Sequence, residues 1–382
     1  MAAGAESATT NVATAATANH EPVSSAAIAA TATVKIAAHR SRADSSPLPA
    51  PPTSVPFTVA HCSDHSPSSG RRIDATSTCR RTPSARAPDM RPYDRVMATS
   101  QIPPPVVSVD WLQANLSWVI VCDVRWYLDG RSGRAAYSAG HLPGAVFIDL
   151  DRWLAAPPTR AGGRHPLPAA DVFAAGMRAA GISDDSTVVA YDDAGGANAA
   201  RLVWLLRICG RAAALLDGGI DTWPLPLSKV IPVVTPGSFE LSSWPSDAVV
   251  DADEVAAAAE EGRTIIDARA ANRYAGTVEP VDARAGHIPG AINLPYTGNL
   301  DPVSGRFLDA AALSARYRRA GVSEQDRVIV YCGSGVTACH DLLAIERAGL
   351  APARLYAGSW SQWSADEHRP AATGPTPRGE SS

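Results

Sequence analysis

Short runs of β-branched and apolar residues alternate along the chain with longer segments of helical period. The runs "VIVCDV", "TVVAY", "TIIDAR" and "RVIVY" read as strands, and "ADVFAAGMRAAG" and "DAAALSARYRRAG" read as amphipathic helices ahead of the second and fourth of them. Strands alternating with helices imply parallel sheets covered on both faces, with ligand sites beyond the carboxyl ends of the strands. The predicted class is α/β.

The pattern occurs twice. "VIVCDVRWYLDG" (119–130) matches "TIIDARAANRYAG" (264–276), and "AGHLPGAVF" (139–147) matches "AGHIPGAIN" (285–293). "STVVAYDDAGGANAARLVWLL" matches "DRVIVYCGSGVTACHDLLAI", and "LLDGGIDTW" (215–223) matches "LYAGSWSQW" (355–363). Four matches in the same order at near-constant spacing mark a tandem duplication. Its halves are expected at 103–227 and 249–364, with a proline-rich linker at 228–248 and a loose tail at 365–382. Residues 1–102 are Ala/Thr/Ser-rich and then Ser/Pro/Arg-rich, a composition that buries too little apolar surface to order itself. That extension is expected to be disordered. It is compatible with a transit peptide, or with a reading frame that begins at Met90 or Met97.

The duplication exposes one asymmetry. "RVIVYCGSGVTACHDLL" (327–343) ends a strand at Cys332 and starts a helix a few residues later, whereas the first half carries Asp192 in that place. A merely structural cysteine has no reason to sit at this loop in one copy alone. Backbone N–H groups of Gly333, Ser334, Gly335, Val336 and Thr337 are expected to turn inward as an anion nest. The following helix N-terminus adds partial positive charge, and both effects favour a thiolate. The first-half loop, one residue longer, is expected to lack that nest. His141 and His287 recur in both halves and read as fold-shaping turns.

The remaining composition narrows the choices. Thirty-four basic and 38 acidic residues give a net charge of −4, so no nucleic-acid partner is implied. No apolar run reaches the length of a membrane span. The six cysteines form no CxxC pair and no metal-ligand spacing, so neither metal nor cofactor is expected. Cys332 and Cys339 are expected to lie too far apart along one helix for a disulfide. Cys122 and Cys209 read as core positions in a strand and a helix. Reduced thiols suit a cytoplasmic protein.

From "AGH[LI]PGA" in both halves, "CGSGVT" and "GSWSQW", the stretch 103–364 resembles the two-domain sulfurtransferases of the rhodanese superfamily, with an inactive first domain and an active second one. The resemblance implies that Cys332 accepts a sulfane sulfur from a small-molecule donor, becomes a persulfide, and passes the sulfur on. The acceptor would be cyanide or a thiol such as thioredoxin or a small thiol. Thiosulfate-using members carry cations in the loop after the cysteine, and "CGSGVT" has none. It resembles the loop of the 3-mercaptopyruvate sulfurtransferases, whose proposed Ser–His–Asp relay maps to Ser334, His165 and Asp151. Asp151 read alone is equally well a helix N-cap. Arg273 matches one of two substrate arginines. The position of the other is Val281, leaving Arg284 or a first-domain arginine to take its part. Thiosulfate therefore remains an alternative donor. Two readings from other classes are a redox or binding module and a phosphatase. The first needs a resolving cysteine within reach, and the second needs an arginine that the loop lacks.

Overall fold

The computed structural model describes residues 103–323 and 327–379. The expected disorder of 1–102 falls outside the described residues. In the first half, β1 (Val106–Val107), β2 (Val119–Asp123), β3 (Val146–Phe147), β4 (Thr187–Tyr191) and β5 (Ala213–Leu216) form one sheet in the order β1-β5-β4-β2-β3. In the second half, β6 (Val249–Val250), β7 (Ile265–Asp267), β8 (Ile292–Asn293), β9 (Ile329–Tyr331) and β10 (Arg354–Tyr356) take the order β6-β10-β9-β7-β8. All the strand pairings are parallel and the two orders are the same, as a duplication requires.

Short strands with buried residues on both faces explain the near-continuous apolar runs, because each sheet is covered on both sides. In the first half the covering helices are α1 (Val109–Asn115), α2 (Gly133–Ala139), α3 (Ala170–Ala179) and α4 (Ala199–Ile208). In the second they are α5 (Ala252–Glu260), α6 (Ala271–Tyr274), α7 (Ala310–Arg319), α8 (Ala338–Arg347) and α9 (Ser359–Trp363). Helix α4 is buried on nearly every side and packs against α8. One apolar cluster consequently runs through both halves, from Val188 and Leu202 to Val330 and Leu343. Each half also has its own outer cluster, around Leu112 in one and Val255 in the other.

Ser108, Ser132, Asp251 and Asp309 cap α1, α2, α5 and α7 by accepting a backbone N–H in the first turn. His141 and His287 shape the fold in the same way in each repeat. Each stacks on a tyrosine, Tyr137 at 4.0 Å and Tyr274 at 3.7 Å. Each also pairs its backbone with a segment beyond its own sheet, Ser228 for His141 and Ala372 for His287.

That pairing corrects the expected loose tail over the residues described. Gly290 donates to Pro377 O, Trp363 Nε1 donates to Pro370 O at 2.7 Å, and Arg369 lies over the Trp363 ring. The tail straps the second half as 228–230 straps the first. The linker is held too, by buried Phe239 against Phe173 and by Trp244 donating to Pro168 O. Cys209 is another correction: it caps the C-terminal end of α4, half-buried, whereas Cys122 is fully buried in β2.

Candidate active site

Strand β9 ends at Tyr331, and Cys332 follows at its carboxyl end, 2% exposed. Its position is fixed from both sides of the backbone. Cys332 N–H donates to Ser359 Oγ at 3.2 Å, and Cys332 O accepts from Trp360 N–H at 3.0 Å. Ser359 holds a left-handed backbone (φ 53°), a conformation that costs a non-glycine residue on the order of 1 kcal/mol. Its hydroxyl is satisfied by donating to Tyr356 O.

The chain then turns back on itself. Gly335 (φ +76°) directs its N–H at Cys332 Sγ, 3.1 Å away. A side chain there would strike Ala357 O, since a Cβ would come within 2.6 Å of it. Cys339 donates to the carbonyl at the other end of Gly335, 3.4 Å away. Cys332 therefore lies in the loop and not on α8, which corrects the expectation that it shares one helix with Cys339; both thiols are free. Burial pushes the Cys339 thiol up to about 12, so it is a poor partner for redox exchange.

The first half shows what this loop can hold. Asp192 is fully buried, and its carboxylate accepts four backbone N–H groups: Ala194 and Gly196 on Oδ1, Asn198 and Ala199 on Oδ2, at 2.8–2.9 Å. The expectation that the first loop lacks a nest is thus corrected. The nest is present, and the protein's own carboxylate fills it. In the second half the contact found among the described residues is the Gly335 N–H on Cys332 Sγ, one amide of the five expected to form the nest.

The three relay candidates converge from both halves. Between β3 and α3 the first half sends out a π-helical turn, Leu150–Leu154, and a loop ending at His165. His165 Nδ1 is 2.8 Å from Ser334 Oγ, and His165 Nε2 is 3.6 Å from Asp151 Oδ1. Trp126 Nε1 donates to the other Asp151 oxygen at 2.9 Å and its ring meets the imidazole edge-on. Asp149 performs the capping, accepting from Arg152 N–H, which removes the N-cap reading of Asp151. Burial, with Arg201 and Arg164 nearby, pushes His165 down to about 4. It is therefore a neutral base near pH 7.

The cations differ from expectation. Arg273 lies at the loop, where a Cβ on Gly333 would be 3.3 Å from its Nη1 and 2.9 Å from Arg164 Nη2. Arg284 does not contribute to this mouth. Its guanidinium donates to the carbonyls of Trp363, Ser364, Asp366 and Arg369, which spends its fork on anchoring the tail. Val281 is partly exposed and apolar. Arg164 of the first half stands as the second cation, a residue whose sole sequence signal is its place beside His165 in "GGRHPLP". Both arginines are already paired. Asp282, its side chain buried, accepts from Arg164 and from Arg273 at 2.9 Å, and Glu279 accepts from Arg273 at 2.7 Å. Arg160, Arg164, Val281, Asp282 and Ser361 line an open cleft of about 310 Å³ beside them. The sequence reading also missed Asp282, Trp126, Ser359 and Arg201, none of which carries a local motif.

A parallel α/β sheet that ends in a buried cysteine, its sulfur met by the Gly335 N–H and its loop faced by a neutral histidine, defines an enzyme of cysteine-nucleophile chemistry. The rhodanese-like domain family model matches residues 108–224 and 251–366, and the chain belongs to the rhodanese family of two-domain sulfurtransferases. It is 44% identical over 280 residues to a Pseudomonas aeruginosa protein named "Probable 3-mercaptopyruvate sulfurtransferase", covering 70% of this chain and 98% of that one. A Mycobacterium tuberculosis relative, 41% identical over 261 residues (67% of this chain, 91% of the relative), carries "thiosulfate sulfurtransferase" in its name. The solved 3-mercaptopyruvate enzyme of Escherichia coli is 32% identical with a TM-score of 0.59, over 68% of this chain and all of that structure. The chain is an enzyme that transfers sulfur through a cysteine persulfide. No helix among the described residues is long and apolar enough to cross a membrane.

Proposed function

We propose that the sulfur donor is 3-mercaptopyruvate and that Ser334, His165 and Asp151 act as a relay on its leaving group. The carrying observation is the 2.8 Å contact between His165 Nδ1 and Ser334 Oγ in a loop whose residues 333–337 bear no cation. Cys332 thiolate attacks the donor sulfur, forming the S–S bond of a persulfide as the C–S bond breaks. The electron pair of that bond leaves with pyruvate enolate. Ser334 donates a proton to the enolate, which leaves as pyruvate, and regains a solvent proton relayed by His165, which Asp151 orients. The Gly335 N–H, already aimed at sulfur, stabilises the anion at each stage. An acceptor thiolate or cyanide then takes the outer sulfur and releases Cys332 for another turnover.

Arg273, joined by Arg164, binds the donor carboxylate; a planar fork suits that group. The charge balance at the mouth favours a monoanion. Asp282 and Glu279 offset Arg164 and Arg273, and Arg160 on the same cleft adds a cation, a balance suited to a monoanion. Thiosulfate is the second reading, favoured by the presence of two cations beside Gly333. Thioredoxin or a small thiol is the proposed acceptor beside cyanide. Cytoplasmic residence is supported by the free thiols of Cys122, Cys209, Cys332 and Cys339.

The deciding experiment follows thiocyanate formation from 3-mercaptopyruvate and from thiosulfate side by side, with Cys332→Ser as the control. Faster turnover of 3-mercaptopyruvate, abolished in the serine variant, is expected. Preference for thiosulfate would remove the relay from the mechanism.

A further inference from the structure

Arg201 on α4 is the largest unexplained charge in the core. It is completely buried, and no carboxylate pairs with it among the described residues. Its guanidinium instead gathers carbonyls from both halves. Nε donates to Leu154 O at 2.8 Å, Nη1 to Gly335 O at 2.8 Å, and Nη2 to His165 O at 2.9 Å and Pro166 O at 3.2 Å. Two of these partners belong to site residues. Gly335 directs its N–H at Cys332 Sγ, and His165 directs Nδ1 at Ser334. A buried cation without a counter-ion is costly, and carbonyl dipoles repay only part of that cost. The groups nearby that can carry negative charge are the thiols of Cys332 and Cys339.

The duplication supplies an internal comparison. Across the same interface, His340 on α8 places Nε2 3.1 Å from Gly195 O, in the loop of Asp192. The two contacts are pseudo-symmetric mates, each running from the first turn of the helix after one loop to a glycine carbonyl of the other loop. Behind Asp192, whose carboxylate already has four N–H donors, the fold puts an imidazole that burial keeps neutral. Behind Cys332, whose sulfur has a single N–H donor among the described residues, it puts a guanidinium cation. The charge thus stands on the side where an anion must be made and carried.

We propose that Arg201 is a positioning residue for sulfur transfer: it clamps the Cys332 loop to the His165 segment and holds a fixed positive charge behind the reacting sulfur. The clamp keeps Ser334 within reach of His165 across the domain interface. The charge favours thiolate and persulfide anions at Cys332 and disfavours a second cation at His165, whose depressed pKa agrees.

Alkylation of Cys332 by iodoacetamide against pH, in the full-length protein without donor, tests the charge; Cys332→Ser identifies the signal. Other ionisable groups around the sulfur are His165, Asp151 and Arg164 of the first half and Arg273, Asp282, Tyr296 and Cys339 of the second, all retained in each variant. Arg201→Met is expected to raise the alkylation midpoint by about one pH unit or more and to lower kcat at least about tenfold. Arg201→Lys keeps the charge and loses the fork, so the midpoint stays within about 0.3 unit while kcat falls and KM holds. A folded methionine variant with an unmoved midpoint overturns the electrostatic part. A lysine variant with wild-type kcat overturns the clamp, and it decides alone if the methionine variant does not fold. The proposal rests on the relay reading for His165, but alkylation involves no donor, so failure of the donor assignment leaves this readout intact.

Discussion

His165 of the first half and Ser334 of the second are 169 positions apart and meet at 2.8 Å, across the seam between two copies of one fold. The first copy has Asp192 where the second has Cys332, and its anion nest is occupied by that carboxylate. It places His165, Arg164 and Arg201 against the Cys332 loop of the second copy. Division of labour after duplication follows from this geometry.

The relay makes an unequal prediction for the two donors. Ser334→Ala and His165→Asn are expected to lower kcat with 3-mercaptopyruvate by about 10²–10³-fold while KM changes little. Thiosulfate turnover should fall far less, because sulfite departs without needing a proton. Asp151→Asn, at 3.6 Å and largely exposed, should cost about tenfold or less. Equal losses with both donors would mean that these residues shape the loop and do not move protons.

Charge at the mouth is tested by donor kinetics. Arg273→Ala and Arg164→Ala are each expected to raise KM for 3-mercaptopyruvate about 10- to 100-fold, the worth of a charged hydrogen bond. Asp282→Asn should shift kcat/KM toward dianionic thiosulfate, since it frees positive charge that Asp282 now neutralises. An unchanged donor ratio would remove Asp282 from specificity.

Arg284 separates anchoring from binding. Its loss removes a donor from four tail carbonyls, of which Trp363 O and Asp366 O keep backbone donors from Asp366 and Arg369, so Arg284→Met is expected to cost on the order of 2 kcal/mol of stability. Thermal unfolding reads this as a fall of several degrees, with donor KM unaltered. A raised KM without loss of stability would return Arg284 to the substrate site.

Stability should carry a pH signature at Asp341. Burial pushes this carboxyl up to about 7, and its Oδ2 has no partner, while Asn299 and Tyr317 hold Oδ1. A folded pKa raised above the unfolded value gives stability that is full below about pH 4 and is lost as pH rises through about 7. The stability of the wild type relative to Asp341→Asn is therefore expected to be greater at pH 5 than at pH 8. A difference independent of pH, measured by denaturant unfolding, would show that Asp341 is ionised throughout.

The duplication, the α/β class and the place of Cys332 were legible because they are local. Strand period, loop glycines and one cysteine-for-aspartate exchange are written in consecutive residues, and the fold puts loops of that kind at strand ends. Ser334, His165 and Asp151 could be named only through resemblance, since no local rule joins residues 151 and 334. Arg284 was misjudged for the same reason: an arginine near the mouth in sequence spends its fork wherever carbonyls lie within reach, and the tail supplied four. Arg164 and Arg201 show the converse. One is a loop arginine and the other an arginine in an apolar helix, and neither has meaning until the halves are packed together. Sequence by itself determined the two sheets and the nucleophile, because backbone sterics and hydrophobic period act over a few residues. Tertiary structure alone decided which charges face the sulfur, because burial and distance across the interface set electrostatics.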